Sequence, residues 1–309
     1  MPVIGVDLGG TNLSVGLVEN AAILKKMSCR TDTTDAKRMM NQITAVCREL
    51  LAETGKSIVD LSGVGIACPG WVDSKNGIVC SSANLPLSQF FISEQLFEAL
   101  KVPIKVENDA NCAALGEYQY GAGRGYQSLL MLTVGTGLGA GVVLDGKMFT
   151  GPGVAELGHT VLMLDGELCG CGRRGCCEAY ISATGLVKMA AEAAKKNPMS
   201  ALGKEKIIGQ TVFAAARRKD PAALAVLEQY ISCFAEALMN FVNIFRPEAV
   251  IIGGGIANAD DEFFVPLRQR FERVARANVY GVKTPDILKA ELNDAIGILG
   301  AAALFEKEG

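Results

Sequence analysis

Of 309 residues only one is a histidine, so any imidazole this chain uses is that of His159. No apolar run free of charge reaches about 18 residues, the length a membrane-spanning helix needs, and no such helix is expected. The formal charge is −3, with no basic stripe, which removes the electrostatic argument for nucleic acid or an anionic membrane as partner. The N-terminus runs straight into the strand-like VIGVDLGG, without the basic and apolar regions of a signal peptide. There is no G-x-x-x-x-G-K-[ST], so a P-loop is excluded. Low-complexity tails and flexible linkers are missing as well.

What the chain does have is a hydrophobic half, 35 glycines and ten cysteines. A mass of 32.5 kDa allows two lobes with substantial cores, and the glycines imply many tight turns. Several cysteines lie scattered in apolar segments, which fits a reducing cytoplasm better than a disulfide scaffold, so a cytoplasmic enzyme is expected.

The most informative stretch is Gly153 to Glu178, GVAELGHTVLMLDGELCGCGRRGCCE. Its C-x-C-G-x-x-G-C run places Cys169, Cys171 and Cys176 around two glycine-permitted turns, close enough to share one ion. With His159 they form a Cys₃His set suited to tetrahedral zinc. Cys177 also lies close, but adjacent side chains diverge. Reduced, unliganded surface cysteines beside an unrelated histidine are the plainer alternative; the spacing and the glycines favour zinc. Four protein ligands leave no open position for water, so the metal would shape the site without performing chemistry. Glu156 and Glu178 bracket the motif and would be held toward a multiply hydroxylated ligand.

Two further motifs share one pattern. Val3 to Asp7 is a strand ending in DLGGTN, and a second strand, Leu13 to Val18, follows at once. Leu129 to Val134 ends in GTGLGAG and again leads into a strand. A glycine turn between strands brings backbone N–H groups and a threonine hydroxyl against whatever sits there, an arrangement suited to phosphate, although a lone GGT is more often an ordinary turn. A dinucleotide-binding loop would open a helix, so the nicotinamide reading fails for GTGLG. Helical spacing covers Lys37 to Glu53, Phe90 to Leu100, Ala110 to Gly121, Ala179 to Lys195, Gln210 to Arg218, Pro221 to Phe245, Glu262 to Ala275 and Asp294 to Phe305. The strand Val102 to Val106 ends in E-N-D-A-N, where an α/β sheet places working residues; a lone Asp109 there could equally be an N-cap. Asn84 stands on a turn before Leu85-Pro86. The strand Ala249 to Ile252 ends in GGGI, a turn able to lie against adenine or ribose.

DLGGTN, PGWVD, ENDAN, GTGLGAG, ELGH, CGCGRRGCCE, IIGGG and the final GAAAL together resemble the ROK family of bacterial sugar kinases and sugar-responsive repressors, over nearly the whole chain. The resemblance and the order of elements imply an α/β, two-lobed actin-like (ribonuclease H-like) ATPase fold with a zinc-binding insertion in the second lobe. The expected division is 1–120 with the C-terminal helix 294–309, and 121–293. The resemblance further implies an ATP-dependent hexose kinase, most like a glucokinase, phosphorylating glucose at O6. Asp109 would be the general base, with Asn84, Asn108, Asp109, Glu156, His159 and Glu178 on the sugar. Asp7, Gly9, Gly10, Thr11, Asn12, Gly135, Thr136, Gly137, Gly254 and Gly255 would hold ATP and Mg²⁺, and His159, Cys169, Cys171 and Cys176 a structural Zn²⁺. A homodimer or homotetramer is implied, without nucleic acid or membrane. Asn12 stands where lysine is frequent, and Cys177 replaces an aliphatic residue. Trp71 and Ala155 also depart from the pattern and leave allose, mannose, N-acetylmannosamine and N-acetylglucosamine open as substrates. A sugar-binding transcriptional regulator is the competing class, disfavoured because no helix-turn-helix precedes DLGGT.

Overall fold

A computed structural model describes residues 1–150, 155–276 and 283–306. In chain order it contains β1 (Val3–Leu8), β2 (Asn12–Glu19), β3 (Ala22–Arg30), α1 (Ala36–Thr54), β4 (Gly63–Cys68), β5 (Trp71–Asp73), β6 (Ile78–Ser81), β7 (Ser88–Phe90), α2 (Ile92–Leu100), β8 (Ile104–Asn108) and α3 (Asp109–Tyr120). Then follow β9 (Leu129–Val134), β10 (Leu138–Leu144), β11 (Lys147–Met148), α4 (Glu178–Ile181), α5 (Ala183–Lys196), α6 (Gly209–Arg217), α7 (Pro221–Phe245), β12 (Ala249–Gly253), α8 (Asp261–Arg276), β13 (Asp286–Lys289) and α9 (Ile296–Ala303). Two five-stranded sheets run β3-β2-β1-β4-β8 and β11-β10-β9-β12-β13, and β5, β6 and β7 form a small third one.

The chain divides into two compact α/β units: Met1–Gln127 with Gly141–Ala155 and Glu291–Gly309, and Ser128–Ala140 with Glu156–Ala290. The segment Gly141–Ala155, which a linear division at residue 120 assigns to the second half, belongs to the first unit. It does so because Gly141 approaches α3 with no room for a side chain: a Cβ there would meet Ala110 O and Ala114 Cβ, each at 2.6 Å.

In the first unit, β1 pairs antiparallel with β2 and parallel with β4, which pairs parallel with β8. Parallel strands bury both faces, and β1 and β4 accordingly read as nearly continuous apolar runs. α1 covers one face. Asp35 caps it by accepting from Arg38 N at 2.8 Å, Gly55 ends it in the left-handed region at φ +64°, and Met39, Ile43, Cys47 and Leu50 face the core. On the other face α9 packs against backbone. A Cβ on Gly5 would meet Ile298 O at 2.1 Å, and one on Gly65 would meet Ala301 O at 1.8 Å.

The second unit is centred on α7, begun by an Asp220 cap and Pro221 at its first turn. By length and composition α7 could cross a membrane. It is instead the core helix of this unit, with Tyr230 and Phe234 packed edge-on or tilted against Phe263 of α8, centroids 5.3–6.3 Å apart. Two local expectations change. The alanine-rich stretch from 179 is two helices, because Ser182 accepts from Gly185 N at 3.0 Å and starts α5 afresh. Phe90 closes β7, and α2 begins at Ile92.

Candidate active site and metal cluster

The first unit's polar residues gather at the carboxyl ends of its parallel strands. Register pairs Asp7 of β1 with Ala67 of β4, and Cys68 of β4 with Asn108 of β8, so the ends of β1 and β8 lie level across β4. Asn108, and not Asp109, is the N-cap of α3: its Oδ1 accepts from the N–H of Ala110 and Asn111 at 2.8 and 3.3 Å. Its Nδ2 donates to Gly70 O at 2.9 Å, and the residue is buried. Asp109 starts the helix. Solvent reaches part of its side chain while protein crowds the rest. That desolvation lifts its carboxyl above the ordinary range, against hydrogen bonds from Ala110 N–H, its own N–H and Asn108. Asp7 is raised too, by burial first and by the Asp109 charge second, with Lys26 opposing.

The DLGGTN turn is closed by Gly9 N–H donating to Asn12 O at 2.9 Å and by the Thr31 hydroxyl donating to Gly9 O at 2.7 Å. Thr11 and Asn12 are left exposed at the turn. Asn84 lies against this turn; a Cβ on Gly10 would meet its Cβ at 2.9 Å. Trp71, which the sequence flags as unusual, is 48% exposed on β5.

In the second unit, parallel β9 and β12 pair Thr133 with Gly253, so the turns at Gly135–Gly137 and Gly254–Gly255 emerge at the same end of the sheet. The first is bound to the start of α5 by Ala183 N–H donating to Gly135 O and by the Thr184 hydroxyl donating to Thr136 O, at 2.9 and 2.7 Å. Gly254 adopts φ +83°, and a Cβ there would meet Val134 O at 2.4 Å. A cavity of about 450 Å³ lies beside Gly255, walled by Ala183, Gly209, Gln210, Phe213 and Asn258. None of these wall residues was marked by the sequence, although the GGGI turn was. Nothing in the spacing joins α6 to a turn so far along the chain.

The cysteine-rich segment folds as the sequence suggests. His159, Cys169, Cys171 and Cys176 bring their ligand atoms within 4.8 Å of one another. Cys171 and Cys176 sulfurs stand 3.7 Å apart, against about 3.8 Å for two thiolates on one tetrahedral zinc with Zn–S near 2.3 Å. The donor set and spacing therefore fit zinc. Cys177 points elsewhere, to the Thr160 hydroxyl at 3.3 Å. The two nitrogens of His159 face different neighbours: Nδ1 lies 3.6 Å from Cys169 Sγ, and Nε2 lies 3.9 Å from the exposed Glu156 carboxylate. Glu178 starts α4, accepts from Leu138 N–H at 3.0 Å, and lies 3.4 Å from Cys169 Sγ. Gly137 gives it room, since a Cβ there would meet Glu178 Oε2 at 2.6 Å. The two glutamates that bracket the motif thus lie beside the cluster. Gly153, where this stretch begins, lies outside the described residues.

Two five-stranded sheets of matching strand order, glycine turns at the strand ends and a Cys₃His cluster define an actin-like ATPase fold with a zinc-type site. More particularly, the chain belongs to the ROK family, whose model matches residues 3–308, and it is a sugar kinase of that family. It is 38% identical to a glucokinase of Thermotoga maritima over 99% of this chain and 98% of that one. It is 31% identical to an N-acetyl-D-glucosamine kinase of Escherichia coli, over 97% and 98%. The crystal structure of a ROK family glucokinase from Streptomyces griseus, in complex with glucose and AMPPNP, superposes with a TM-score of 0.80 at 32% identity, covering 98% and 99%.

Proposed function

We propose that the protein is an ATP-dependent hexose kinase that phosphorylates glucose at O6. The observation that carries this reading is the split environment of His159. One ring nitrogen faces the cysteines and the other the Glu156 carboxylate, as a site needs when a metal fixes the ring that reads a sugar. The relatives support it, since the glucokinase of Thermotoga maritima is the more similar of the two kinases compared.

From the second unit, Glu156, His159 and Glu178 accept or share hydrogen bonds with sugar hydroxyls. His159, Cys169, Cys171 and Cys176 hold the zinc, which when bound supplies shape and no reactive position. The cavity beside Gly255 takes the adenosine part of ATP, and amides of Gly135 and Gly137 with the Thr136 hydroxyl take phosphate oxygens. From the first unit, Gly9, Gly10, Thr11 and Asn12 contribute the other phosphate turn. Asp7 suits hydrated Mg²⁺: burial first and the Asp109 charge second raise its carboxyl, and a hard cation there would relieve that like-charge repulsion and neutralise phosphate charge. Asp109 accepts the hydroxyl proton as the phosphoryl group moves, while Asn84 and Asn108 border the sugar. Phosphoryl transfer relies on positioning and charge neutralisation, which one base and many backbone donors supply.

Glucose is favoured over its competitors by the extent of likeness to glucokinases, although inverting or substituting one hydroxyl is a modest change for such a site. A coupled ADP-release assay with glucose, mannose, allose, N-acetylmannosamine and N-acetylglucosamine tests it. Glucose should show the highest kcat/KM, and a higher value for any other sugar would replace it as the substrate.

A further inference from the structure

Glu107 is the acid of the ENDAN segment for which the proposed chemistry has no use, and it is only 5% exposed. A carboxylate taken out of water is costly unless donors surround it, and here three do. Ser74 Oγ donates to Oε2 at 2.6 Å, while Asn108 N–H and Asn111 Nδ2 donate to Oε1 at 2.7 and 3.1 Å. Two of the donors lie on either side of Asp109 in sequence, and the third comes from the turn after β5. Asn111 is held this way at a cost, because its Oδ1 is buried with no partner among the described residues. Its donor end is committed to Glu107 and its acceptor end is left bare. Asp109 Oδ1 accepts from Ala110 N–H at 3.0 Å, a bond within its own first turn, so its aim follows the backbone beneath it.

We infer that Glu107 is a positioning residue that clamps the β8–α3 turn and thereby aims Asp109. The inference rests on the reading of Asp109 as base. Removing the clamp should slow the chemical step and leave binding of sugar and ATP largely alone. A glutamine can keep the Oε1 acceptor toward Asn108 and Asn111 and donate to Ser74, whose hydroxyl works in either direction.

The test is a double-mutant cycle read in steady-state kinetics. Glu107→Ala should lower kcat at least 30-fold with both KM values within about 3-fold, and Glu107→Gln should restore kcat to within about 3-fold of the parent. In the Asp109→Asn background, Glu107→Ala should cost less than about 2-fold more, because a residue acting through Asp109 has nothing left to aim. Equal losses in both backgrounds, or a loss carried by KM, would overturn the inference. Where Glu107→Ala does not fold, Ser74→Ala, at an exposed position, enters the same cycle with a loss of 3-fold or more expected. Asp109→Asn at the parent rate would instead sink the base assignment, so the two failures are distinguishable.

Discussion

At the scale of single residues, Asp109 carries the proposed chemistry. Substituting Asp109→Asn should keep the fold and sugar binding and lower kcat by about 10²-fold or more, the scale of losing a general base. Its pH dependence has a definite sign. Burial raises the carboxyl, so Asp109 protonates at a higher pH than an ordinary aspartate. The base is active only when ionised, so the acid limb of a kcat/KM profile should lie above the usual carboxylate range and disappear in Asp109→Asn. A flat profile down through that range would contradict it. Asp109 stood out in the sequence because it follows a strand and lies between two asparagines, its reading as base coming from the resemblance to sugar kinases, and His159 because it is alone. Asn108 was legible as a polar residue at that junction. Its cap to α3 and its bond to Gly70 were not, since which of two neighbouring residues caps a helix depends on backbone angles that the sequence does not state.

At the scale of elements, two segments depend on what they lack. Among the described residues, the stretch from Glu156 to Cys177 has only a short 3-10 turn at Leu157–His159 and two isolated bridges, Val161 with Cys176 and Leu168 with Arg174. Backbone bonds such as Leu162 N–H to Gly175 O and Cys169 N–H to Arg173 O tie its turns together, and on the proposed reading a bound metal adds to that order. Elemental analysis should find about one zinc per chain, the number one Cys₃His site holds. Cys169→Ser or Cys171→Ser should lower both melting temperature and sugar affinity, and a pure, active, zinc-free protein would refute the assignment. The second segment is α9, which lies on backbone at Gly5 and Gly65. Gly65→Ala drives a methyl into Ala301 O and should cost about 2–3 kcal/mol, as overpacking does, measured by denaturant unfolding. The small residues of α9 were visible in the sequence; the glycines opposite them were not connected to it. β5, β6 and β7 escaped notice because strands of three or four residues carry too little alternation to read.

At the scale of the whole molecule, the repeat is visible in the sequence. DLGGTN and GTGLGAG each follow a strand and precede another, and both large sheets show the same order when their strands are numbered along the chain. The return of Gly141–Ala155 to the first unit was not visible, because it depends on contact with α3 that no local pattern announces. On the proposed reading, this fold transfers the γ-phosphoryl group of ATP to O6 of a hexose. Nuclear magnetic resonance of the purified protein with Mg-ATP and ¹³C-labelled glucose reads that transfer directly. The account predicts a new phosphomonoester signal coupled to C6, growing in step with ADP and absent in Asp109→Asn on the same time scale. ADP without a sugar phosphate, or a phosphate on another carbon, would contradict it.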